Sequence, residues 1–278
     1  MNQHTLRSTY KFVGKGLHTG LPVTMTLFPA PDDYGIVFER TDLGDDAFVE
    51  ARLSNVSPAQ RSTCLVYRGI EVRTPEHLLA ALNALGVDNA LIKLDAPEVP
   101  ILDGSAAPYA EAILIDGLED QKRERKYITV SKPCEYHDPQ SGTRIVVEPS
   151  ETFEADILID FGSKVLGVQK AFYRDGDDFA REIAPCRTFC FYDEVRPLLE
   201  KGLIKGGDLD NALVVDEPRG YLNGPVLRFE NECARHKLLD LLGDFSLLGS
   251  PMKVKITAEK PGHAANAAAA RTLLPYIV

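Results

Sequence analysis

The chain of 278 residues is 44% hydrophobic and 26% charged, which is typical of a soluble globular protein and long enough for two domains. Its formal net charge of −10 argues against non-specific binding to nucleic acid, so no such partner is expected. No run approaches the roughly 18 to 20 apolar residues that span a bilayer, and the N-terminus lacks a signal-peptide pattern, so we expect a cytoplasmic protein without stable membrane insertion.

Short strands with turn residues between them are predicted through the first 70 residues. They cover Ser8–Val13, Pro22–Phe28, Gly35–Arg40 and Cys64–Tyr67. His18 lies in a glycine-rich turn between the first two strands, where a structural role and a binding role both remain open.

A helix is predicted over Thr74–Gly86, with Thr74 as its N-cap, Pro75 at its first position and Gly86 at its end. Glu76 and His77 fall in its first turn, where the helix dipole favours a carboxylate and a neutral imidazole. Neutral imidazole is the form that binds metal, so His77 is a candidate ligand.

The pattern then continues to a charged run that we interpret as a linker between domains. A strand (Val87–Asp95), a proline-rich loop (Ala96–Ser105) and a helix (Ala107–Asp116) precede the run Glu119–Lys126.

The second half is predicted to resume with strands and to end in helices. Strands cover Tyr127–Val130, Thr143–Glu148, Phe153–Phe161, Asn211–Asp216 and Lys253–Ala258, and helices cover Glu194–Lys201, Asn231–Asp244 and the alanine-rich segment after His263.

The five cysteines show no metal-binding or disulfide pattern. They form an odd set without CxxC spacing, and we interpret them as free or buried thiols in a reducing compartment: Cys64, Cys134, Cys186, Cys190 and Cys233.

His236 and Asp240 are four residues apart in the amphipathic helix Asn231–Asp244, so both point out of one face. A solvated helix face explains that spacing as well as a metal site does. A zinc site needs a third protein ligand and an open position for water. His77 can supply the third ligand, and ferrous iron would accept the same ligand set.

Metal-assisted amide hydrolysis would give four further residues a role. Glu76, next to a ligand, is placed to act as general base, and His263 could act as general acid with Asp244 orienting it. Thr188 offers a hydroxyl to a developing oxyanion.

The two halves of the sequence echo each other. When His77 is aligned with His236, leucines recur at the second and fifth positions after each histidine, and each helix precedes a strand. This pattern suggests duplicated α+β units with a metal between them, although so short a match could arise by chance.

Six motifs occur in one order along the chain. They are Gly16–Gly20, Thr74–Leu78, Ala96–Ala106, Arg187–Phe189, Arg235–Asp240 with Gly243 and Asp244, and Lys260–His263. With these motifs the sequence resembles the UDP-3-O-acyl-N-acetylglucosamine deacetylases, zinc enzymes of lipid A biosynthesis in Gram-negative bacteria.

The resemblance implies an α+β fold of two similar domains, each a sheet packed on helices, with the active site at their interface. The corresponding ranges are 1–121 and 127–278, with an insert at about 191–225 that forms a passage for an acyl chain. It implies one zinc ion on His77, His236 and Asp240, with Glu76 as base, His263 as acid, and Thr188 and Asp244 assisting.

The resemblance also implies where the substrate, a UDP-linked acylated glucosamine, binds. Phe161 would lie beside the nucleoside, and Lys237 and Lys260 would contact the sugar or diphosphate. Phe189, Leu198 and Leu203 would line the acyl passage, together with Leu199 and Ile204.

Two departures and two alternatives accompany the resemblance. Cys190 stands where the family usually has glycine, which crowds the passage, and the final helix over Ala264–Arg271 is unusually rich in alanine. Some relatives carry a fused dehydratase, so this chain could be the deacetylase part alone. The alternatives are a non-catalytic sugar-nucleotide or acyl-binding protein and a deacetylase of another N-acylated amino sugar. A monomer is expected.

Overall fold

The computed structural model describes residues 1–200, 205–224 and 227–278, without the side chains of 198–200. Its first part alternates strands with two helices. The elements are β1 (Asn2–Leu6), β2 (Tyr10–Lys15), β3 (Pro22–Pro29), β4 (Ile36–Arg40), β5 (Phe48–Glu50), β6 (Val56–Ser57), β7 (Cys64–Tyr67), β8 (Ile70–Arg73), α1 (Glu76–Leu85), β9 (Ala90–Leu94), α2 (Ala107–Asp116) and β10 (Leu118–Glu124).

The second part has a similar alternation. Its elements are β11 (Cys134–Asp138), β12 (Thr143–Pro149), β13 (Glu154–Ile159), β14 (Gln169–Arg174), α3 (Phe179–Glu182), β15 (Phe189–Phe191), α4 (Tyr192–Glu200), β16 (Leu213–Asp216), β17 (Gly220–Tyr221), α5 (Glu232–Ser246), β18 (Val254–Glu259) and α6 (His263–Leu273).

The two five-stranded sheets have the same topology. Their strand orders are β2-β3-β9-β4-β5 and β11-β12-β18-β13-β14. In each sheet the fifth strand in sequence lies at the centre, antiparallel to the second strand and parallel to the third. α1 directly precedes β9 and α5 directly precedes β18, so the repeat suggested by the aligned histidines is present in the fold, and the predicted α+β class is confirmed.

The equivalent helices α1 and α5 pack against each other between the sheets. Leucines recur at three- and four-residue spacing in both helices, and Leu78, Leu82, Leu238 and Leu242 are buried there. Gly86 ends α1 in the left-handed conformation at φ 84°, which glycine adopts without strain. This packing brings the functional residues of both helices to one edge of the interface.

A three-stranded sheet also interrupts each half at the equivalent place. β6-β7-β8 lies between β5 and α1, and β15-β16-β17 lies between β14 and α5. The second of these sheets, with α4, occupies the predicted insert at 191–225. Both inserts reach the same end of the α1–α5 pair. Thr63 of the first and Thr188 of the second both border the site described below.

The prediction that the charged run is an unpaired linker is wrong, because residues 118–124 form β10, which pairs antiparallel with β1. The charged side chains make cross-strand ion pairs on an exposed ribbon, such as Arg7 with Glu119 at 3.4 Å. The division at residues 121 and 127 stays a prediction, with β10 running past its first boundary.

Two local predictions also differ from the structure. Thr74 does not cap α1, because its hydroxyl donates to buried Glu98 and its φ is +55°. Residues 127–130 form only isolated bridges, from Ile128 to Met252 and from Val130 to Ile277.

In the ranges that the structure describes, no helix is both long and apolar enough to cross a bilayer. All five cysteines are free thiols, as expected.

Candidate functional site

His77, His236 and Asp240 converge at the edge of the α1–α5 interface. Each offers one ligand atom, and these atoms lie within 4.8 Å of one another. Asp240 Oδ1 is 3.4 Å from His236 Nε2 and 3.7 Å from His77 Nε2, and all three residues are buried. Helix packing therefore joins the pair predicted from one helix to the single histidine of the other.

Asp240 Oδ1 is the atom that shows these residues suit a cation. It is buried without a hydrogen-bond partner among the described residues, whereas Oδ2 accepts from Lys237 Nζ at 2.8 Å. An orphaned carboxylate oxygen beside two imidazole nitrogens is a strong acceptor set for a metal. His236 Nδ1 lies 3.0 Å from the carbonyl of Cys186, which fixes Nδ1 as the donor and leaves Nε2 free to bind.

The protonation states fit the same use. Burial, aided by nearby His236, lowers the pKa of His77 to about 3, so its imidazole is neutral. Burial likewise lowers the pKa of His236. Burial opposes ionisation of Asp240, but Lys237 and the histidines outweigh it and hold the pKa of this carboxyl below its usual range. The site thus presents two neutral imidazoles and one carboxylate.

A second cluster surrounds His263 at the start of α6. His263 Nε2 lies 3.8 Å from Glu76 Oε1, and its Nδ1 lies 3.0 Å from Asp244 Oδ2. Asn266 donates to the same oxygen at 2.8 Å, and the Thr63 hydroxyl donates to Asp244 Oδ1 at 2.5 Å. Asp244 is therefore held from three sides, and it fixes the orientation of the His263 ring.

The two groups that face each other in this cluster both have raised pKa values. Burial raises the pKa of Glu76 to about 8, although nearby His263 partly opposes the shift. Burial alone would lower the pKa of His263, but the carboxylates of Asp244, Asp240 and Glu76 raise it to about 9. His263 is thus an imidazolium that can give a proton, and the ionised form of Glu76 that faces it is a stronger base than an ordinary carboxylate, so the pair suits base and acid chemistry.

The close approach of α1 to α5 places Glu76. Gly243 of α5 lies under the backbone of Glu76, where an added Cβ would be 2.1 Å from the Glu76 carbonyl oxygen. The Glu76 carboxylate also accepts from the backbone N–H of Thr63 at 3.2 Å. Glycine at 243 is thus required for the first turn of α1 to reach the other half.

Thr188 enters the site on the second insert. Its N–H donates to the Gly104 carbonyl at 2.7 Å, and its own carbonyl accepts from Leu213 at 2.8 Å. Gly104 has a φ of +81°, and a Cβ there would lie 1.9 Å from the carbonyl oxygen of Asn211. The loop after the first sheet and the insert therefore interlock at backbone distance and fix Thr188 at the edge of the cleft.

A buried ion pair anchors the segment before Thr188 to α5. Glu232, which is fully buried, accepts from Arg187 Nε at 2.8 Å and from Arg187 Nη2 at 3.1 Å. Its carboxylate also accepts from the backbone N–H of Arg228 at 2.7 Å. This pair sets the distance between Thr188 and the helix that carries His236.

The site opens into a cleft of about 260 Å³ that joins an apolar channel of about 340 Å³. The cleft is lined by most of the predicted site residues: Glu76, His77, Thr188, Phe161, Phe189, Lys237, Asp240 and His263. The channel has mainly apolar walls: Leu17, Phe189, Tyr192, Val195, Leu209, Ala212, Val214 and Leu222.

Aromatic side chains form one wall of the cleft. Phe161 is 45% exposed and makes edge-to-face contacts with Phe189 at 5.7 Å and Phe191 at 5.5 Å between ring centroids. Lys237 Nζ lies 5.6 Å from the centroid of Phe189. Exposed Phe161 offers a stacking surface, and Lys237 carries a positive charge against another ring of the same aromatic wall.

The other predicted substrate contacts are not among the described residues that line the cleft. Lys260 does not line the cleft and instead lies 3.9 Å from Asp160, next to Phe161. The side chains of Leu198 and Leu199 and the whole of Leu203 and Ile204 lie outside the described residues. Their predicted roles stay predictions.

The sequence analysis missed three residues that hold the site. Asn266 is three residues after His263 on α6, so helical spacing alone could have found it. Glu232 precedes His236 by four residues and could have been found by the same rule. Thr63 had no local signal, because it lies in a loop whose path depends on the first insert.

The comparison with known families agrees with this geometry. The model for UDP-3-O-acyl N-acetylglycosamine deacetylase, LpxC, matches residues 3–275. The chain belongs to this family.

The relatives compared with this chain include two kinds of protein. It is 43% identical to a UDP-3-O-acyl-N-acetylglucosamine deacetylase of Anaeromyxobacter sp., over 98% of this chain and 88% of that one. A protein of the same name from Myxococcus xanthus is 43% identical over 95% of this chain and 84% of that one. The bifunctional enzyme LpxC/FabZ of Bacteroides thetaiotaomicron is 41% identical over 98% of this chain, which spans only 64% of the relative's length.

Proposed function

We propose that this chain hydrolyses the N-acetyl amide of UDP-3-O-(3-hydroxyacyl)-N-acetylglucosamine. Acetate and the free amine would be the products, in the committed step of lipid A biosynthesis. The observation that carries the proposal is the orphaned oxygen of Asp240 beside two neutral imidazoles, with Glu76 and His263 facing the same cleft. The names of the relatives from Anaeromyxobacter and Myxococcus support the choice of substrate.

His77, His236 and Asp240 would hold one zinc ion, and ferrous iron is the alternative that accepts these ligands. When bound, the metal supplies Lewis acidity that polarises the amide carbonyl and favours deprotonation of water. Lys237 supports this use, because its bond to Asp240 Oδ2 leaves only Oδ1 to face the histidines.

Glu76 takes a proton from the attacking water as the new carbon–oxygen bond forms. Thr188 donates a hydrogen bond to the oxygen on which negative charge develops. When the carbon–nitrogen bond breaks, His263 gives its Nε2 proton to the departing amine, and Asp244 stabilises the imidazolium until that transfer. The pKa of about 9 keeps His263 protonated near neutral pH, as an acid requires. The pKa of about 8 makes Glu76 a stronger base than an ordinary carboxylate, and the positive charge of a bound metal would favour its ionised form.

The rest of the substrate follows the two cavities. The acyl chain would enter the apolar channel, and the nucleoside would stack on exposed Phe161 with Lys237 and Lys260 near the diphosphate. A nucleotide-linked substrate favours a cytoplasmic enzyme. The bifunctional relatives fit the proposal that some members carry a dehydratase on the same chain.

The test is acetate release by metal-reconstituted protein, with bound metal quantified in every sample. Glu76→Gln preserves the shape of the side chain and should keep the metal but lose about 100- to 10,000-fold in kcat, as expected for a general base. Glu111→Gln, on the exposed face of α2, is the matched control and should match wild type. If metal-loaded wild type releases no acetate, this substrate is wrong, and other N-acylated amino sugars or a binding role must be tested.

A further inference from the structure

Arg61 lies where the catalytic cleft meets the apolar channel. It is in the loop between β6 and β7, and its side chain lines both cavities. Five described residues line both: Leu17, Arg61, Thr188, Phe189 and Cys190. Arg61 alone among them is a charged donor. A chain that runs from the cleft into the channel must therefore pass its guanidinium group.

The contacts of Arg61 leave hydrogen-bond donors available. Its Nη2 donates to Glu194 Oε2 at 2.5 Å, which links the first insert to α4 of the second insert. Among the residues that the structure describes, this is its one hydrogen bond, whereas a guanidinium has five N–H donors. The side chain is 37% exposed and lines both the cleft and the channel, so the remaining donors are open to a molecule bound at this junction.

The other groups at the junction cannot take this role. Burial raises the pKa of Cys190 to about 11, so its thiol is neutral near pH 7 and forms part of the apolar wall. Leu17 and Phe189 have no polar atoms in their side chains. Thr188 has a hydroxyl, but that group is assigned to the reacting amide on the cleft side.

We propose that Arg61 is a specificity-determining residue that donates a hydrogen bond to a hydroxyl group on the first carbons of the substrate's acyl chain. This inference rests on the proposed function, because the acyl chain must lie in the channel while the amide lies at the metal ligands. An apolar chain without the hydroxyl would cover the N–H donors that Glu194 does not use and offer them no acceptor, which is unfavourable. Arg61 thus favours hydroxylated over plain acyl chains.

The experiment compares kcat/KM for two substrates that differ only in the hydroxyl on the acyl chain. Wild type should prefer the hydroxylated substrate by about tenfold or more, which is the effect of one hydrogen bond to a charged group. Arg61→Met, similar in length but without a donor, should abolish the preference, and Arg61→Lys should restore part of it. Arg68→Met, an arginine of the β7–β8 turn outside both cavities, should keep the wild-type preference.

The preference is a ratio measured within each variant, so partial unfolding of a variant does not alter it. If Arg61→Met keeps the wild-type ratio, or if wild type shows no preference, the inference is wrong and the ion pair with Glu194 only joins the two inserts. If wild type releases no acetate from either substrate, the proposed function fails separately. Binding of methyl 3-hydroxydecanoate and methyl decanoate then decides: a preference of about tenfold that Arg61→Met removes supports the inference, and equal binding overturns it.

Discussion

The contact between Gly243 of α5 and the backbone of Glu76 predicts a large effect of one added methyl group. In Gly243→Ala the new Cβ would lie 2.1 Å from the Glu76 carbonyl oxygen and 2.9 Å from its carbonyl carbon. Non-bonded heavy atoms settle roughly 3.5 Å apart, so α1 must move from α5 by more than about 1 Å. The obstacle is backbone rather than a flexible side chain, so no rotamer change relieves it.

Stability and activity should respond unequally to that shift. Alanine is favoured over glycine in a helix by about 1 kcal/mol, which offsets part of the roughly 1 to 3 kcal/mol that overpacking costs. The variant should therefore lose at most about 2 kcal/mol of unfolding free energy. A displacement of about 1 Å between Glu76 with His77 and the α5 ligands should lower kcat about a hundredfold and weaken metal binding.

The assays are acetate release, metal affinity by competition with a chromogenic chelator, and urea unfolding. Gly262→Ala is the matched control, since its φ of −167° suits any residue and a Cβ there would meet nothing within 4 Å. Wild-type kcat and metal affinity in Gly243→Ala would refute the claim that this contact positions the site. A loss of unfolding free energy as large as the loss in kcat, when the latter is also expressed as a free energy, would contradict the claim as well.

Two further predictions concern protons and metal. Asp244 is the strongest of the three carboxylates that, against the effect of burial, raise the pKa of His263 to about 9. Asp244→Asn should therefore lower that pKa and move the alkaline limb of the kcat profile to lower pH by about one unit or more; an unmoved limb would argue that another group is the acid. Removing the metal with a chelator should lower the thermal unfolding midpoint, because Asp240 Oδ1 then has no partner. Adding zinc at a thousandfold excess over its Kd should restore about 4 kcal/mol of unfolding free energy. Asp240→Asn should show little response to zinc in the same scans.

Local spacing accounts for the predicted ligands and for Asp244. His236 and Asp240 are one helical turn apart, and Asp244 is one turn further, so one amphipathic helix was enough to place them on a common face. The position of His77 followed from the predicted start of α1 alone. That these residues meet His263 and Thr188 depends on the packing of α1 on α5 and on the second insert, which no local pattern encodes.

The errors have equally physical causes. The charged run at 119–126 looks the same whether it is a solvated linker or one strand of an exposed ribbon, because both leave the side chains in water; only the pairing of β10 with β1 separates them. Thr74 has the right residue type for an N-cap, but a buried carboxylate on Glu98, distant in sequence, takes its hydroxyl.

The repeat has a consequence for how the two halves can change. At aligned positions His77 corresponds to His236, but Ala81 corresponds to Asp240 and Glu76 to Arg235. If two identical units associated about a twofold axis, each helix would bring the same residues and the site would be symmetric. Joining the units in one chain removes that constraint, so one copy could become the source of the base while the other gained the carboxylate ligand. This asymmetry is thus available to a tandem chain but not to a symmetric pair of identical units, and neither half alone carries the complete set of residues.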